Sequence, residues 1–206
     1  MESTYCIYGA SGHSKVILEI LENSGQIIHS LYDDDVNKLS LLDYKVTHQN
    51  NIFEIESICW IIGIGNNKIR KRIVADHSFK YGLAIDKSAN VSKRTTIGNG
   101  TVIMPGVSIN SSTTIGEHGI INTNSSIDHD CVIGDYVHIS PNAALCGGIT
   151  VGEGVHIGAG AVIIPGIKLG KWATIGAGSV IIKDVPDFST LVGNPGRLKS
   201  TENKKK

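Results

Sequence analysis

From residue 85 onward the chain carries an aliphatic side chain at every sixth position without a break. The series opens with Ile85, Val91, Ile97 and Ile103 and closes with Leu169, Ile175 and Ile181, seventeen positions that are all Ile, Val or Leu. A helix cannot keep such a series on one face, because six residues turn it through about 600° and leave each member roughly 240° from the last. Short extended segments separated by corners can. A slower rhythm gives the number of sides: glycine follows the aliphatic residue at Gly98, Gly116, Gly134, Gly152 and Gly170, a spacing of eighteen, or three hexapeptides to a coil. The residues four places after each aliphatic are small or aliphatic, as at Thr101, Val107, Cys131, Val137, Ala143 and Ala161. Strand alternation places them inside a narrow three-sided column beside the large aliphatics. The pattern predicts a left-handed parallel β-helix of hexapeptide repeats, about five and a half coils over residues 83–186, with coils ~4.8 Å apart.

The first 82 residues follow a different pattern. An apolar run at Thr4 to Tyr8 leads into Gly9-Ala10-Ser11-Gly12-His13 and an amphipathic stretch over Lys15 to Glu22. A second run, Ile27 to Tyr32, ends at Asp33-Asp34-Asp35, and a third, Ile58 to Ile64, leads into Gly65-Asn66-Asn67 and a basic helix through Arg70, Lys71 and Arg72. Strand, glycine turn and helix in this order predict a Rossmann-like βαβαβ domain whose strand ends converge on one rim. Amides at a helix N-terminus can approach a phosphate there, and acidic residues after the second strand can reach a ribose or base. The turn is GxxG and lacks the full dinucleotide fingerprint, and a bare glycine turn is often purely structural. Residues 187–206 form a closing segment and a tail whose Lys204, Lys205 and Lys206 read as a solvated end.

Composition narrows the range of partners. Nineteen basic and nineteen acidic residues cancel, which removes the field expected of a nucleic-acid or anionic-membrane binder. No stretch of eighteen apolar residues and no basic, apolar leader is present, so a cytoplasmic protein is expected. Cys6, Cys59, Cys131 and Cys146 are widely spaced and contain no CxxC pair, which suits reduced thiols. One coil cannot bury its aliphatics alone, and flat outer faces carrying Thr, Asn, Ser and His suggest that three columns pack side by side as a homotrimer.

Four histidines fall in the repeat region: His118, His129, His138 and His156. His129 stands at a corner two residues after Ile127, between Asp128 and Asp130. A neighbouring carboxylate can hold one imidazole nitrogen protonated and leave the other as a general base; a solvated surface histidine with a chance acidic neighbour has the same local sequence. Gly147 lies eighteen residues on, directly beneath His129, where an unencumbered amide could face an oxyanion. His138 is half a circuit from His129, so a site using both would bridge two subunits.

Taken with Ile7 to His13, Ile64 to Arg70, Asn122-Thr123, His129 to Gly134, His138-Ile139-Ser140 and Gly193-Asn194-Pro195, the chain resembles the hexapeptide acyltransferases with an N-terminal nucleotide-sugar domain. It looks most like the bacterial UDP-4-amino-sugar N-acetyltransferases of the bacillosamine type, within a broader group that includes sialic acid O-acetyltransferases. The resemblance implies acetyl transfer from acetyl-CoA, without a metal, to the amine of a UDP- or GDP-linked 4-amino-4,6-dideoxy sugar in bacterial glycan biosynthesis; the alternative is a sugar hydroxyl. It implies His129 as base, oriented by Asp130, and the Gly147 amide on the thioester oxygen. Asn122 and His138 would meet the sugar amine or acetyl group. Gly9, Ser11, Gly12, His13, Asp33, Asp34 and Asn66 would hold the nucleotide sugar. Pantetheine would run past the Ala159 and Ala177 segments, with Pro195 and Arg197 near the nucleotide end of coenzyme A. Two readings of other classes compete: a zinc enzyme of the carbonic anhydrase type, for which the histidine spacing lacks a close pair, and a non-catalytic nucleotide-sugar binder.

Overall fold

The computed structural model describes residues 3–48 and 57–201; Lys204 to Lys206 of the tail fall outside them. Its N-terminal region contains β1 (Thr4–Tyr8), α1 (Gly12–Asn23), β2 (Ile27–Tyr32), β3 (Ser40–Leu41), β4 (Tyr44–Thr47), β5 (Ile58–Ile62) and α2 (Asn67–Asp76). The sheet order is β3-β4-β2-β1-β5, with β4, β2, β1 and β5 parallel and β3 folded back antiparallel on β4. The β3–β4 hairpin is an addition to the βαβαβ pattern; its strands are too short and mixed to show an apolar period. Ile17, Leu18, Ile20 and Leu21 form the buried face of α1 and pack on Ile7, Leu31 and Ile61.

The start of α1 is set by close backbone approach. Ser14 Oγ donates to the carbonyls of Gly9 (2.5 Å) and Gly63 (3.2 Å), tying the first turn of the helix to the ends of two strands. A Cβ at residue 63 would collide with that hydroxyl, which requires glycine there. Strand β5 therefore ends at Ile62, two residues before the apolar run does.

Residues 84 to 181 build the column. Seventeen two-residue strands, from Ala84–Ile85 to Val180–Ile181, pair in strictly parallel register with strands eighteen residues away, and three walls result. One wall contains His138 and His156, a second Ser126, Ala144 and Val162, and a third Val132 and Thr150. We call these the histidine wall, the small-residue wall and the threonine wall. The interior is filled by the aliphatic ladder together with Val107, Cys131, Val137, Ala143, Val155, Ala161 and Ala173. Each large aliphatic so buried contributes ~1.5–3 kcal/mol before chain entropy is subtracted. Thr101 and Thr113 occupy the same inward positions; their hydroxyls donate to the carbonyls of Gly116 and Asp128.

From Gly100 to Gly178 every corner places its third residue after the aliphatic in the left-handed region, Asp130 (φ 61°) and Gly148 (φ 70°) among them. The rhythm then slips by two. Val185 bridges to Leu169 and Leu191 lies beside Ile175, separations of sixteen instead of eighteen. Strand Ser189–Val192 thus extends the histidine wall, and Arg197–Thr201 returns antiparallel along it.

Helix α2 fastens the two regions together. Arg70 sits on the helix face with Asn67 and Ile73 and is 1% exposed. Its guanidinium donates to the carbonyls of His118 (2.8 Å) and Tyr136 (2.9 Å) on successive coils. Asn67 Nδ2 donates to the carbonyls of Gly154 and Val155 one coil further down. Lys71 forms an ion pair with Glu153 on the surface above. The N-terminal region therefore lies on the histidine wall and on the corner it shares with the threonine wall.

Candidate active site

Two sets of site residues form in different places. The first surrounds His129, at the corner between the small-residue and threonine walls. The left-handed conformation of Asp130 turns its carboxylate back on the imidazole, and His129 Nδ1 lies 2.7 Å from Asp130 Oδ2. The hydrogen bond to Asp130, followed by the charge of Asp128, raises the His129 pKa above the ordinary histidine value. Asp128 Oδ1 accepts from the His129 amide and from Asn110 Nδ2, contacts that lower its own pKa and fix the start of the corner. With Nδ1–H donated to the carboxylate, Nε2 carries the lone pair.

That nitrogen lies over Gly147. A Cβ on residue 147 would stand 2.8 Å from His129 Nε2 and 2.7 Å from Cε1. The Gly148 amide donates to the His129 carbonyl, whereas the Gly147 amide finds no acceptor among the described residues. Beside this pair the small-residue wall carries a shallow depression lined by Ser108, Asn110, Ser126, Asp128, Ala144 and Cys146. Ala159 and Ala177 are exposed at the opposite edge of the same wall, stacked one coil apart, with the Gly178 amide bonded to the Ala159 carbonyl. Pro195 lies below them, because the Gly196 amide is bonded to the Val180 carbonyl; Arg197 follows in the exposed return strand. One wall thus brings together His129, Gly147, Ala159, Ala177 and Pro195.

The second set lies on the histidine wall, across the column from the His129 corner. A groove of about 460 Å³ runs between the N-terminus of α2 and the wall, lined by Gly65, Asn66, Asn67, Lys68, His138, His156, Trp172 and Thr174 among others. The imidazoles of His138 and His156 stack with centroids 4.9 Å apart. His138 Nδ1 is 3.3 Å from the Gly65 carbonyl and Nε2 is 3.1 Å from Asn122 Nδ2. Asn122 Oδ1 accepts from the Thr123 amide, which leaves Nδ2 as donor. His138 is therefore neutral, protonated on Nδ1; burial, then the neighbouring His156, lowers its pKa to about 3. His13 reaches the same region from α1; burial lowers its pKa to about 4, and its buried Nε2 has no hydrogen-bond partner among the described residues.

The remaining N-terminal candidates lie at the strand ends. Gly9 (φ 104°) turns the chain after β1, and Gly12 is open to solvent. Ser11 precedes α1 without capping it through its side chain, whereas Asn66 caps α2 by accepting from the Ile69 amide. Asp33 is buried and fully engaged, accepting from the Ala10 amide (2.6 Å), the Asp35 amide (2.9 Å) and Lys38 Nζ (2.8 Å). It braces the glycine turn. Asp34 is exposed and accepts from Tyr8 Oη through one oxygen only. Among the described residues no group of three or more His, Cys, Asp or Glu gathers as a metal site.

The comparisons divide the chain the same way. The PglD N-terminal domain matches residues 5–76, and the bacterial transferase hexapeptide (six repeats) matches residues 130–165 and 148–183. Among solved structures, PerB from Caulobacter crescentus, in complex with CoA and GDP-perosamine, is 34% identical, with 96% of this chain and 98% of that chain covered and a TM-score of 0.87. The chain belongs to the hexapeptide acetyltransferases with a PglD-type N-terminal domain. The acetyltransferase domain of PglB from Neisseria gonorrhoeae, in complex with acetyl coenzyme A, is 32% identical to this family member over 96% of this chain and 100% of that chain, with a TM-score of 0.89. WeeI from Acinetobacter baumannii is 27% identical over 95% and 100%, with a TM-score of 0.87. No curated protein matches the chain. The left-handed winding expected from the hexapeptides is that of the family.

The sequence pattern left several groove residues unassigned. Gly154, Trp172 and Thr174 line it without belonging to a recognisable motif, and Lys68 falls in the Ile64 to Arg70 motif without an assigned role. Asn67 and Arg70 fell within the Ile64 to Arg70 motif without roles of their own, although their spacing with Ile73 marks one inward face. No helix among the described residues is long and apolar enough to cross a membrane.

Proposed function

We infer that this acetyltransferase moves the acetyl group of acetyl-CoA to the amine of a nucleotide-linked 4-amino sugar. The observation that carries the reading is the His129–Asp130 pair with its free Nε2 over the unpartnered Gly147 amide. A base and an oxyanion donor within one corner are what direct aminolysis of a thioester needs. The neutral amine nitrogen attacks the thioester carbonyl carbon, and the Gly147 N–H receives the developing oxyanion. His129 Nε2 takes a proton from the nitrogen, and collapse expels the coenzyme A thiolate, which recovers that proton. The products are an amide and a free thiol. Asp130 holds the tautomer and offsets the transient imidazolium charge.

The coenzyme fits the small-residue wall, where Ala159 and Ala177 leave the corner amides uncovered and Pro195 and Arg197 close the lower end. The nucleotide sugar fits the Gly9–His13 turn, Asp34 and Asn66, with the sugar entering the groove toward His138 and Asn122; Asp33 supports the turn. Because the groove and His129 lie on opposite sides of one column, the complete site takes the groove of one subunit and the His129 corner of the next. This is the reason to propose a homotrimer. The perosamine N-acetyltransferase structures with CoA and GDP-perosamine support both ligands.

The test is thiol release from acetyl-CoA against a panel of UDP- and GDP-linked 4-amino sugars, with mass spectrometry of the product. An amide is expected, and His129→Ala should remove most turnover, on the order of 10²–10⁴-fold, while sparing assembly and coenzyme binding. A hydroxylamine-labile ester would move the assignment to a hydroxyl acceptor. Wild-type turnover by His129→Ala would remove the base.

A further inference from the structure

Arg70 is a buried cation with no counterion among the described residues. All five of its hydrogen bonds go to neutral acceptors: the carbonyls of His118, Ile64, Gly65 and Tyr136, and Asn67 Oδ1. Of the acids on the adjoining corners, Glu153 pairs with Lys71 and Asp135 accepts from the Glu117 amide, and neither these nor Glu117 pairs with Arg70 among the described residues. Nor does the adjoining groove supply a carboxylate, since its charged and titratable lining groups are Lys68, His138 and His156. A buried charge without a counterion costs several kcal/mol of desolvation, which hydrogen bonds to neutral acceptors offset only in part.

The guanidinium is wired to the groove through one peptide group. Gly65 O accepts from Arg70 Nη1 and faces His138 Nδ1. This keeps His138 in the Nδ1–H form, and Asn122 covers Nε2. His13 from α1 and His156 from the same wall complete the surroundings of His138. Arg70 is among the causes that lower the pKa of each of these three imidazoles, after burial. Within one chain the groove thus combines a fixed positive charge with uncharged imidazoles and no acid, an environment that penalises any further proton; Asp130 and Asp128, which the next subunit would bring with its His129 corner, are engaged there by the imidazole, the His129 amide and Asn110.

An amino sugar is an ammonium ion in neutral water, and only its neutral form has the lone pair that attacks a thioester. We propose that Arg70 is a positioning residue for the reaction: its buried, counterion-free guanidinium, tied through the Gly65 carbonyl to His138, makes the groove a compartment that holds an amino sugar as its neutral amine. This rests on the acceptor reading above, so the test has one arm that needs no acceptor.

In that arm, His138 and His156 are titrated by NMR in the full-length wild type, Arg70→Met and Arg70→Lys. The Met variant should raise the pKa of both imidazoles by about one unit, tenfold in protonated fraction, and the Lys variant should leave them low. In the second arm, calorimetry in two buffers of different ionisation enthalpy counts protons released when GDP-perosamine binds at pH 6.5. Wild type should release close to one and Arg70→Met fewer, whereas the 4-hydroxy analogue releases none. The acid limb of kcat, which reports groups in the enzyme–substrate complex, should rise by about one pH unit in Arg70→Met, roughly a tenfold loss below the limb that disappears at high pH.

A Met variant that loses activity by one factor at every pH, with His138 still untitrated, would mark Arg70 as a mere structural tie and overturn the proposal. If Arg70→Met does not fold, absence of proton release by wild type does so. If no nucleotide-linked amine binds, the acceptor reading falls, and the imidazole titrations still decide whether Arg70 controls the groove.

Discussion

Replacing Gly147 by alanine tests the corner geometry with one methyl group. Gly147 has no left-handed φ, so the backbone accepts alanine without strain. The new Cβ would lie 2.7 Å from His129 Cε1. Ordinary carbon contact begins near 3.4–3.5 Å, so the imidazole must retreat by roughly 0.7 Å. Its side chain is 61% exposed and can swing outward. Stability should therefore hold while the base leaves its working position. Displacements near 1 Å cost up to ~10²-fold in rate, so Gly147→Ala should lower kcat by about 10–100-fold, equivalent to ~1.4–2.7 kcal/mol. Gly148 is the control. It stands at φ 70° with open space around its missing Cβ, so Gly148→Ala should cost ~1–2 kcal/mol of stability and spare kcat. Thiol-release kinetics and urea unfolding of both variants read the two quantities separately. A Gly147→Ala enzyme within about twofold of wild-type kcat would refute the placement of Nε2 over this amide.

Asp130→Asn removes the first cause of the raised His129 pKa. The base is lost as pH falls through that pKa, so the acid limb of the rate profile should move to lower pH in the variant, above a reduced plateau; an unmoved limb contradicts the pairing. The pKa values of His13 and His118 are lowered to about 4 and that of His138 to about 3, burial being the first cause of each. An unfolded chain takes up protons at these sites below about pH 6.5 while the native one does not, so stability should fall as pH drops from 6.5 toward 4, by on the order of 1 kcal/mol per histidine per pH unit. Urea midpoints that are flat between pH 7 and 5 would show otherwise. Cys131 is inward, its thiol donating to the Cys146 carbonyl, and burial raises its pKa. Cys131→Ser and Cys146→Ser should keep turnover, and a trapped acetyl-cysteine would refute direct transfer.

The column was legible because its signal is redundant. Seventeen aliphatic positions each repeat the same statement, and inward residues such as Val107 and Ala161 repeat it at a second offset. The slip after Ile181 was not, since two residues fewer in a corner leave no trace in composition and show only when Val185 is seen beside Leu169. His129 and Gly147 were readable because the coil length is an integer, which turns a difference of eighteen into contact. Arg70 was hidden for the opposite reason: in a run of Arg70, Lys71 and Arg72 the three charges look alike, and only packing separates the buried one from its solvated neighbours. Asp33 shows the limit of position alone, since an acid at a strand end can face a ligand or brace the turn, and three donors within 2.9 Å give it the second task.

The reversal at Arg197–Thr201 bears on what such a column does to its neighbours in a crowded solution. A stack of parallel coils ends in a rung whose amides and carbonyls would accept another chain, and identical rungs invite head-to-tail fibres. Here the end of the histidine wall is already covered by a strand running the wrong way to propagate the register, which blocks growth along that wall. Shortening the chain before Arg197 should then leave the fold standing and make it sticky.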